Sequence, residues 1–493
     1  MSDHAIEREA LRQLWATLRL SSAPELGSAL ARDRAKRSDA ALARLVAGYA
    51  QLPAVRVLYR DRYEALLDRA RSMGGTAAVA AASPSVAAAD NPIFIGIPEV
   101  AGELEARVLA LDEARERSSV DGAALDELVR DVVRLEATCR LEYESRVLAM
   151  KPRLGAAGDS AARELTSDSL QAYLRSHPRG SAAVAVRGIH EIPGGRSKRT
   201  VRAELEDAGA LPSELVLRLD TGRGVGTSVI DEFTLLDRVA RRGLPVPEPL
   251  WLESSPAPFG QPFIVFRRMP GAAAGDLIEG AFRKEPRTAR ALARALAQVH
   301  AGGSALPESS EERGSAVAHT RSLLTHYRDW WRLKKPFPSL VIETAFLWLF
   351  RGLDRGLGDA TVVHADTGFH NLLLDDKGTA CLLDWEFAHF GDPAEDLASC
   401  RPAVEQCMPW ADFMAEYQRE GGKPVSEYRL NYFEIWRPLR NAVVCGSTLH
   451  SMIRGEADDI DPVTIGLSTF QRLQTDLART LDARLTRDRG SAA

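Results

Sequence analysis

Apolar residues recur at three- and four-residue spacing through the first part of the chain. In "LRQLWATLRL", "AALARLVAGYAQL" and "YEALLDRARSM" they share one face, with Arg, Asp and Glu between them, which predicts amphipathic helices up to about residue 72. The segment "GGTAAVAAASPSVAAAD", Gly74 to Asp90, has no large side chains to pack and reads as a small-residue linker over about 74–92. Helical spacing returns from about Val100 to Met150, in "LDELVRDVVRLEATCRLEYESRVLAM". Two arrangements fit: one bundle made by both blocks, or a bundle with the first block loosely appended.

After "GAAGDSAARELTSD" the pattern shifts. "AAVAVRGIHEI", "SELVLRLD" and "QPFIVFRRM" read as strands separated by turn residues. From about Thr288 the helical period dominates again, as in "TARALARALAQVHA". The expected organisation is therefore an all-α domain over 1–160, a small sheet-bearing lobe over 166–270, and a larger helical lobe over 271–486.

Composition narrows the class. A chain of 493 residues exceeds a single core and implies at least two domains. The net charge of −5 is small for this length, and gives no argument for a nucleic-acid groove or an anionic membrane surface as the main partner. Cys139, Cys381, Cys400, Cys407 and Cys445 are scattered, without C-x-x-C pairs or zinc spacing, so reduced thiols are expected. The amino terminus lacks the apolar core of a signal peptide, and no apolar run approaches the ~18 residues of a membrane span. A soluble, cytoplasmic protein is expected.

The chemistry concentrates in "VVHADTGFHNLLLDDKGTACLLDWE", Val362 to Glu386. "TVVHAD" reads as a buried strand running into polar residues. "NLLLDDKGTACLLD" reads as a hairpin turning at Asp376–Lys377. Asn371 opens its first strand and Asp384 closes its second, so both end at one mouth, and Asp366 lies on the loop feeding it. An amide oxygen and carboxylates gathered there suit a hard cation such as Mg²⁺ that takes few protein ligands when it rides on nucleotide phosphates. A separate Asp can then accept a proton from an attacking hydroxyl.

His364-x-Asp366-x₄-Asn371, followed by Asp384 at the end of the hairpin, resembles the catalytic core of the aminoglycoside phosphotransferase and choline kinase family. That resemblance covers about Thr166 to Thr486. It implies an α+β, bilobal protein-kinase-like fold, with a small β-sheet lobe and a helical lobe, here preceded by the all-α domain. It implies ATP and Mg²⁺ as cofactors, Asp366 as catalytic base, Asn371 and Asp384 as metal ligands, and a direct or water-mediated metal contact for Glu386. His364 props the loop. The continuation "DWEFAHFGDPAEDLA", Asp384 to Ala398, is similar to the branch associated with acyl-CoA dehydrogenases, in which Asp396 braces the lobe. The family loop usually reads His-Gly-Asp. Ala365 stands where the glycine would be.

Upstream, "IPGGRSKRTVRAEL" places Gly194, Gly195 and Ser197 between two apparent strands, where backbone N–H groups can cover ATP phosphates. Arg218, in "ELVLRLD", occupies a position where many relatives carry Lys, and Glu232, in the first turn of a helix ended by Gly243, is its natural partner. The backbone near Arg267 to Met269 resembles a hinge that meets adenine. Gly222, Gly224 and Gly226 have the wrong spacing for a dinucleotide fingerprint and read as a surface loop. Further on, Trp436 and Arg440 lie on a helix that the resemblance places near the acceptor.

These expectations describe an ATP- and Mg²⁺-dependent O-phosphotransferase whose partners are a nucleotide and a small-molecule acceptor. By family analogy the acceptor is a hydroxyacyl-CoA or a related small alcohol. The alternatives are an aminoglycoside or macrolide phosphotransferase and a non-catalytic nucleotide-binding scaffold. In the scaffold case the amino-terminal helices recruit a partner protein or associate with a second copy.

Overall fold

The protein's computed structural model describes residues 29–73, 98–116, 120–149, 165–192, 198–220, 228–275, 282–307, 314–453 and 469–490. Expectations placed on "LRQLWATLRL", on the 74–92 linker, on Gly194, Gly195 and Ser197, and on Gly222, Gly224 and Gly226 lie outside the described residues.

Three helices come first: α1 (Ala29–Met73), α2 (Pro98–Glu116) and α3 (Gly122–Ala149). After α4 (Ser167–Ser176) come strands β1 (Ala185–Ile192), β2 (Lys198–Glu206) and β3 (Glu214–Asp220), helix α5 (Val229–Arg241), and strands β4 (Pro249–Glu253), β5 (Phe263–Arg267) and β6 (Ala272–Ala273). Helices α6 (Pro286–Gly303), α7 (Ala316–Lys334) and α8 (Leu340–Gly352) lead to β7 (Thr361–Val363), β8 (Leu372–Leu374), β9 (Ala380–Leu382) and β10 (His389–Gly391). The chain closes with α9 (Ala394–Val404), α10 (Trp410–Arg419), α11 (Glu427–Ile453) and α12 (Phe470–Gly490). Among the described residues no helix is long and apolar enough to cross a membrane.

The chain divides into two compact units, the first made of Met1–Ser160, Leu323–Gly352 and Ile435–Ala493, the second of Ala161–Ser322 and Leu353–Glu434. The 271–486 lobe expected from the sequence is thus shared between the two, because Leu323–Gly352 and the segment from Ile435 onward pack with the amino-terminal helices.

In the first unit, α1 presents Leu52, Val55, Tyr59, Tyr63 and Leu67 at three- and four-residue spacing to Leu104, Val108 and Leu111 of α2 and to Leu125, Leu128, Val132 and Leu135 of α3. Leu340 and Leu347 of α8 complete this core. Of the two arrangements open to the sequence, the single bundle is the one formed. Helix α3 starts where Asp121 accepts hydrogen bonds from the N–H groups of Ala123 (2.9 Å) and Ala124 (3.3 Å), a side-chain cap on its first turn.

The second unit opens with a five-stranded antiparallel sheet in the order β1-β2-β3-β5-β4. Alternation sorts its faces. Val201, Ala203, Leu205, Leu215, Leu217 and Leu219 point into a core with Trp251, Phe263, Val265 and the α4 residues Leu170 and Leu174. The other face of β2 and β3 carries Lys198, Thr200, Arg218 and Asp220. From β5 the chain turns at Gly271 into β6, which pairs with β8. Gly271 has φ +112°, and a Cβ there would stand 2.3 Å from the Leu374 carbonyl oxygen, so only glycine fits. The predicted hairpin is β8–β9, with Leu372 opposite Leu382 and Leu374 opposite Ala380.

Candidate active site

The hairpin mouth forms as its sequence requires. Asp375 Oδ1 accepts from the N–H groups of Lys377 (2.9 Å) and Thr379 (2.7 Å), which closes the turn, and Gly378 takes the left-handed conformation at φ +80°. At the other end the Leu383 N–H donates to the Asn371 carbonyl at 2.8 Å, so Asn371 and the residue before Asp384 are neighbours across the strands. Asn371 Nδ2 donates to the Asp366 carbonyl oxygen (3.0 Å) and to Asp366 Oδ2 (3.1 Å). That pairing holds the Asp366 side chain and turns the amide oxygen of Asn371 away from it. His370 Nε2 stands 3.7 Å from the same Asp366 oxygen.

The loop carrying Asp366 is held from below by one buried carboxylate. Asp396, on α9, accepts from the backbone N–H of His364 (2.8 Å) and of Ala365 (2.7 Å), from Thr367 Oγ1 (2.6 Å), and pairs with His300 Nε2 of α6 (3.0 Å). Burial alone would push the Asp396 carboxyl up. The hydrogen bond and charge of His300, the nearby His364 and the Thr367 hydroxyl outweigh it, and hold the group well below the usual carboxylate range. His300 is fixed in turn by Tyr417 Oη at 2.8 Å from its Nδ1. His364 Nε2 donates to the Leu383 carbonyl (2.7 Å), and its Nδ1 accepts from the Asp366 N–H (3.3 Å), an arrangement that specifies the Nε2–H tautomer and ties loop to hairpin.

Ala365 has φ +63°, the left-handed region in which a Cβ is strained by about 1–2 kcal/mol. Ala365→Gly relieves that strain but adds flexibility to the unfolded chain, worth about 0.5–1 kcal/mol in the other direction. A net gain of about 0.5–1 kcal/mol is expected from the denaturation midpoint. A loss on substitution would mean that the loop, rather than the residue, accommodates the angle.

Facing the hairpin mouth, the polar side of the sheet carries a charge cluster. Arg218 Nη2 lies 2.5 Å from Asp384 Oδ1 and 3.7 Å from Glu386 Oε2, and its Nε lies 3.6 Å from Glu232 Oε2. Glu232 stands in the first turn of α5, whose cap is Ser228. Burial raises its carboxyl above the usual range, the neighbouring Asp384 and Asp220 push the same way, and Arg218 opposes them. Beside Arg218, Lys198 Nζ reaches Asp220 Oδ1 at 3.0 Å and Glu386 Oε2 at 4.0 Å. Asp220 Oδ2 accepts from Ser228 Oγ (2.9 Å) and from the Val229 N–H (3.3 Å), fastening the start of α5 to the end of β3.

The structure therefore brings Asp366, Asn371, Asp384, Glu386, Arg218, Glu232 and His364 into one region of the second unit. The expected hinge follows β5. There Arg267 is exposed and pairs with Glu248, the Arg268 N–H donates to the Glu214 carbonyl (3.4 Å), and Met269 is half-buried. Trp436 and Arg440 are placed differently. Both are buried in the first unit, Trp436 edge-on to Tyr327 with centroids 5.4 Å apart and Arg440 bonded to Asn441 Oδ1. A side chain with almost no exposed surface cannot meet an acceptor, so their role here is packing. Sequence reading passed over Lys198, Asp220 and His300. A lysine three residues after the Gly194–Gly195 pair was the available signal for the first. Nothing local marked the other two.

Asn371, Asp384 and Glu386 offer only hard oxygen donors. Among the described residues no group of three or more His, Cys, Asp or Glu forms a self-sufficient metal site. A set this small suits an ion such as Mg²⁺ that draws most of its coordination from phosphate and water. Asp384 already pairs with a positive group, the Arg218 guanidinium. The residues fit the ion.

A five-stranded antiparallel lobe, a loop with Asp366 and Asn371, and a hairpin ending in Asp384 define a kinase-like fold. The chain belongs to the phosphotransferase enzyme family (APH), whose model matches residues 188–436. Among solved structures, it is similar to a macrolide 2′-phosphotransferase from Brachybacterium faecium, at 21% identity over 60% of this chain and 98% of that one, with a TM-score of 0.40. It is also similar to a choline kinase from Streptococcus pneumoniae (16%, 63% and 98%, TM-score 0.44) and a choline/ethanolamine kinase family protein from Mesorhizobium loti (20%, 64% and 98%, TM-score 0.37). Comparison with curated proteins gives no match.

Proposed function

We propose that the protein transfers the terminal phosphoryl group of ATP to a hydroxyl of a small molecule. The observation that carries this reading is the hairpin mouth, where Asn371 holds the Asp366 carboxylate and Asp384 ends the adjoining strand. Asp366 accepts the acceptor's hydroxyl proton as that oxygen bonds to the γ-phosphorus, and the bond from phosphorus to the β,γ-bridging oxygen breaks to release ADP. Asn371 and Asp384, with Glu386, would hold Mg²⁺, which supplies charge neutralisation on the phosphates. Arg218, anchored by Glu232, steadies the donor side, and the backbone from Arg267 to Met269 meets adenine. Gly194, Gly195 and Ser197 cover the phosphates. Most of the acceleration would be positioning and electrostatics.

For the acceptor, the similarity of Asp384–Ala398 to the acyl-CoA dehydrogenase-associated branch favours a hydroxyacyl-CoA or a related small alcohol. The test is ADP release with Mg²⁺ and ATP against 3- and 4-hydroxyacyl-CoAs, choline-like amines, aminoglycosides and macrolides, each beside Asp366→Ala. One class is expected to raise ADP above the variant's level, and chelation with EDTA is expected to abolish that turnover until Mg²⁺ is restored. Nucleotide binding with no turnover on any acceptor would favour the scaffold reading.

A further inference from the structure

We propose that Lys198, on β2, supplies the ammonium that grips the β- and γ-phosphates of the donor nucleotide, while Arg218 on β3 serves to organise carboxylates. This deepens the phosphotransferase reading and rests on it. On the polar face of the sheet two positively charged side chains, Lys198 and Arg218, reach Glu386. Register pairs Lys198 with Asp220 and Thr200 with Arg218, so the two sit on a cross-strand diagonal within reach of long side chains. Their partners divide them. The Arg218 guanidinium spreads across Asp384, Glu232 and Glu386, a planar fork used on the planar groups that it matches best. Lys198 is a compact charge on a flexible stem, the form suited to a phosphate. It stands three residues after the Gly194–Gly195 pair in sequence, and it shares Glu386 with Arg218.

Burial adds a second argument. Lys198 is 5% exposed, while Asp220, its close partner, is partly buried. Sequestering such a pair opposes folding unless geometry or function repays the lost hydration, and an apolar pair would hold the strands as well. A lysine retained here makes sense if its charge is used when a polyanion arrives.

The proposal predicts a selective defect. In Lys198→Met, affinity for ATP measured by calorimetry in the presence of Mg²⁺ should fall about ten- to a hundredfold, the value of one charge-assisted contact, while affinity for AMP stays within about threefold. Lys198→Arg should recover part of the ATP affinity. If Lys198→Met does not fold, Lys198→Gln, whose amide can still bond Asp220, is expected to show the same loss of preference for ATP over AMP. Equal weakening of ATP and AMP would overturn the proposal in favour of a structural role, and so would unchanged ATP binding. A wild-type protein that binds no nucleotide would overturn the donor reading itself, an outcome visible before any variant is measured.

Discussion

Asp366→Asn is expected to lower turnover by about a thousandfold, within the range for removal of a general base, while leaving nucleotide affinity within about threefold. The substitution is close to isosteric, and the asparagine oxygen can still accept the hydrogen bond that Asn371 Nδ2 makes to Asp366 Oδ2 at 3.1 Å. The second bond from Asn371 goes to the backbone carbonyl and is untouched. What disappears is the capacity to take a proton. A combined readout is needed: steady-state ADP release for turnover, calorimetry for nucleotide binding, and thermal denaturation for the fold. A loss of less than about tenfold in turnover, with binding and fold intact, would rule out Asp366 as the proton acceptor.

Asp396→Ala should carry the largest stability effect, about 3–5 kcal/mol, as for the loss of one partner from a buried charged network. The carboxylate serves two backbone N–H groups, a hydroxyl and an imidazole at once, and an alanine would leave all four without their acceptor. The measurement is the denaturant midpoint of the transition that reports on the second unit. Its pH dependence has a definite sign. The folded-state carboxyl is held below its unfolded value, so its contribution is complete above the unfolded pKa and is lost as pH falls through the folded one. The gap between wild type and variant should therefore stay flat from about pH 5 to 8 and narrow only below about pH 4. A gap that closed near neutrality would point to the histidine side of the network instead.

The catalytic loop and hairpin were readable from the chain because their signals are local: two apolar runs, a turn rich in Asp and Gly, and polar residues at fixed spacing. Helix α5 was equally plain, since the acidic Glu232 of its first turn and the Gly243 that ends it lie within twelve residues of each other. Strand β4 escaped notice, being five residues long and opened by a proline. The link from Asp396 to His300 spans 96 residues, and the pairing of Lys198 with Asp220 depends on strand register, which no local pattern records. The helical period read from about Thr288 onward did not show which neighbour would cover 323–352 or the segment after 435. Trp436 was set near the acceptor by the resemblance, and its local pattern could not correct that. An aromatic on an amphipathic helix reads alike whether it meets a substrate or a core.

The first unit has a consequence for how the protein is made. Its amino-terminal helices share a core with Leu340 and Leu347, and α3 packs against α12 near the far end of the chain. At ribosomal speeds of roughly 5–20 residues per second, the stretch between α3 and α12 takes about 15–60 s to emerge. During that interval the newborn bundle waits with part of its apolar surface uncovered, while the whole of the second unit is synthesised and can fold. A fragment that stops after residue 436 would leave that wait without an end. Such a fragment should be retained by chaperones or aggregate, even though it contains every residue assigned a part in the chemistry.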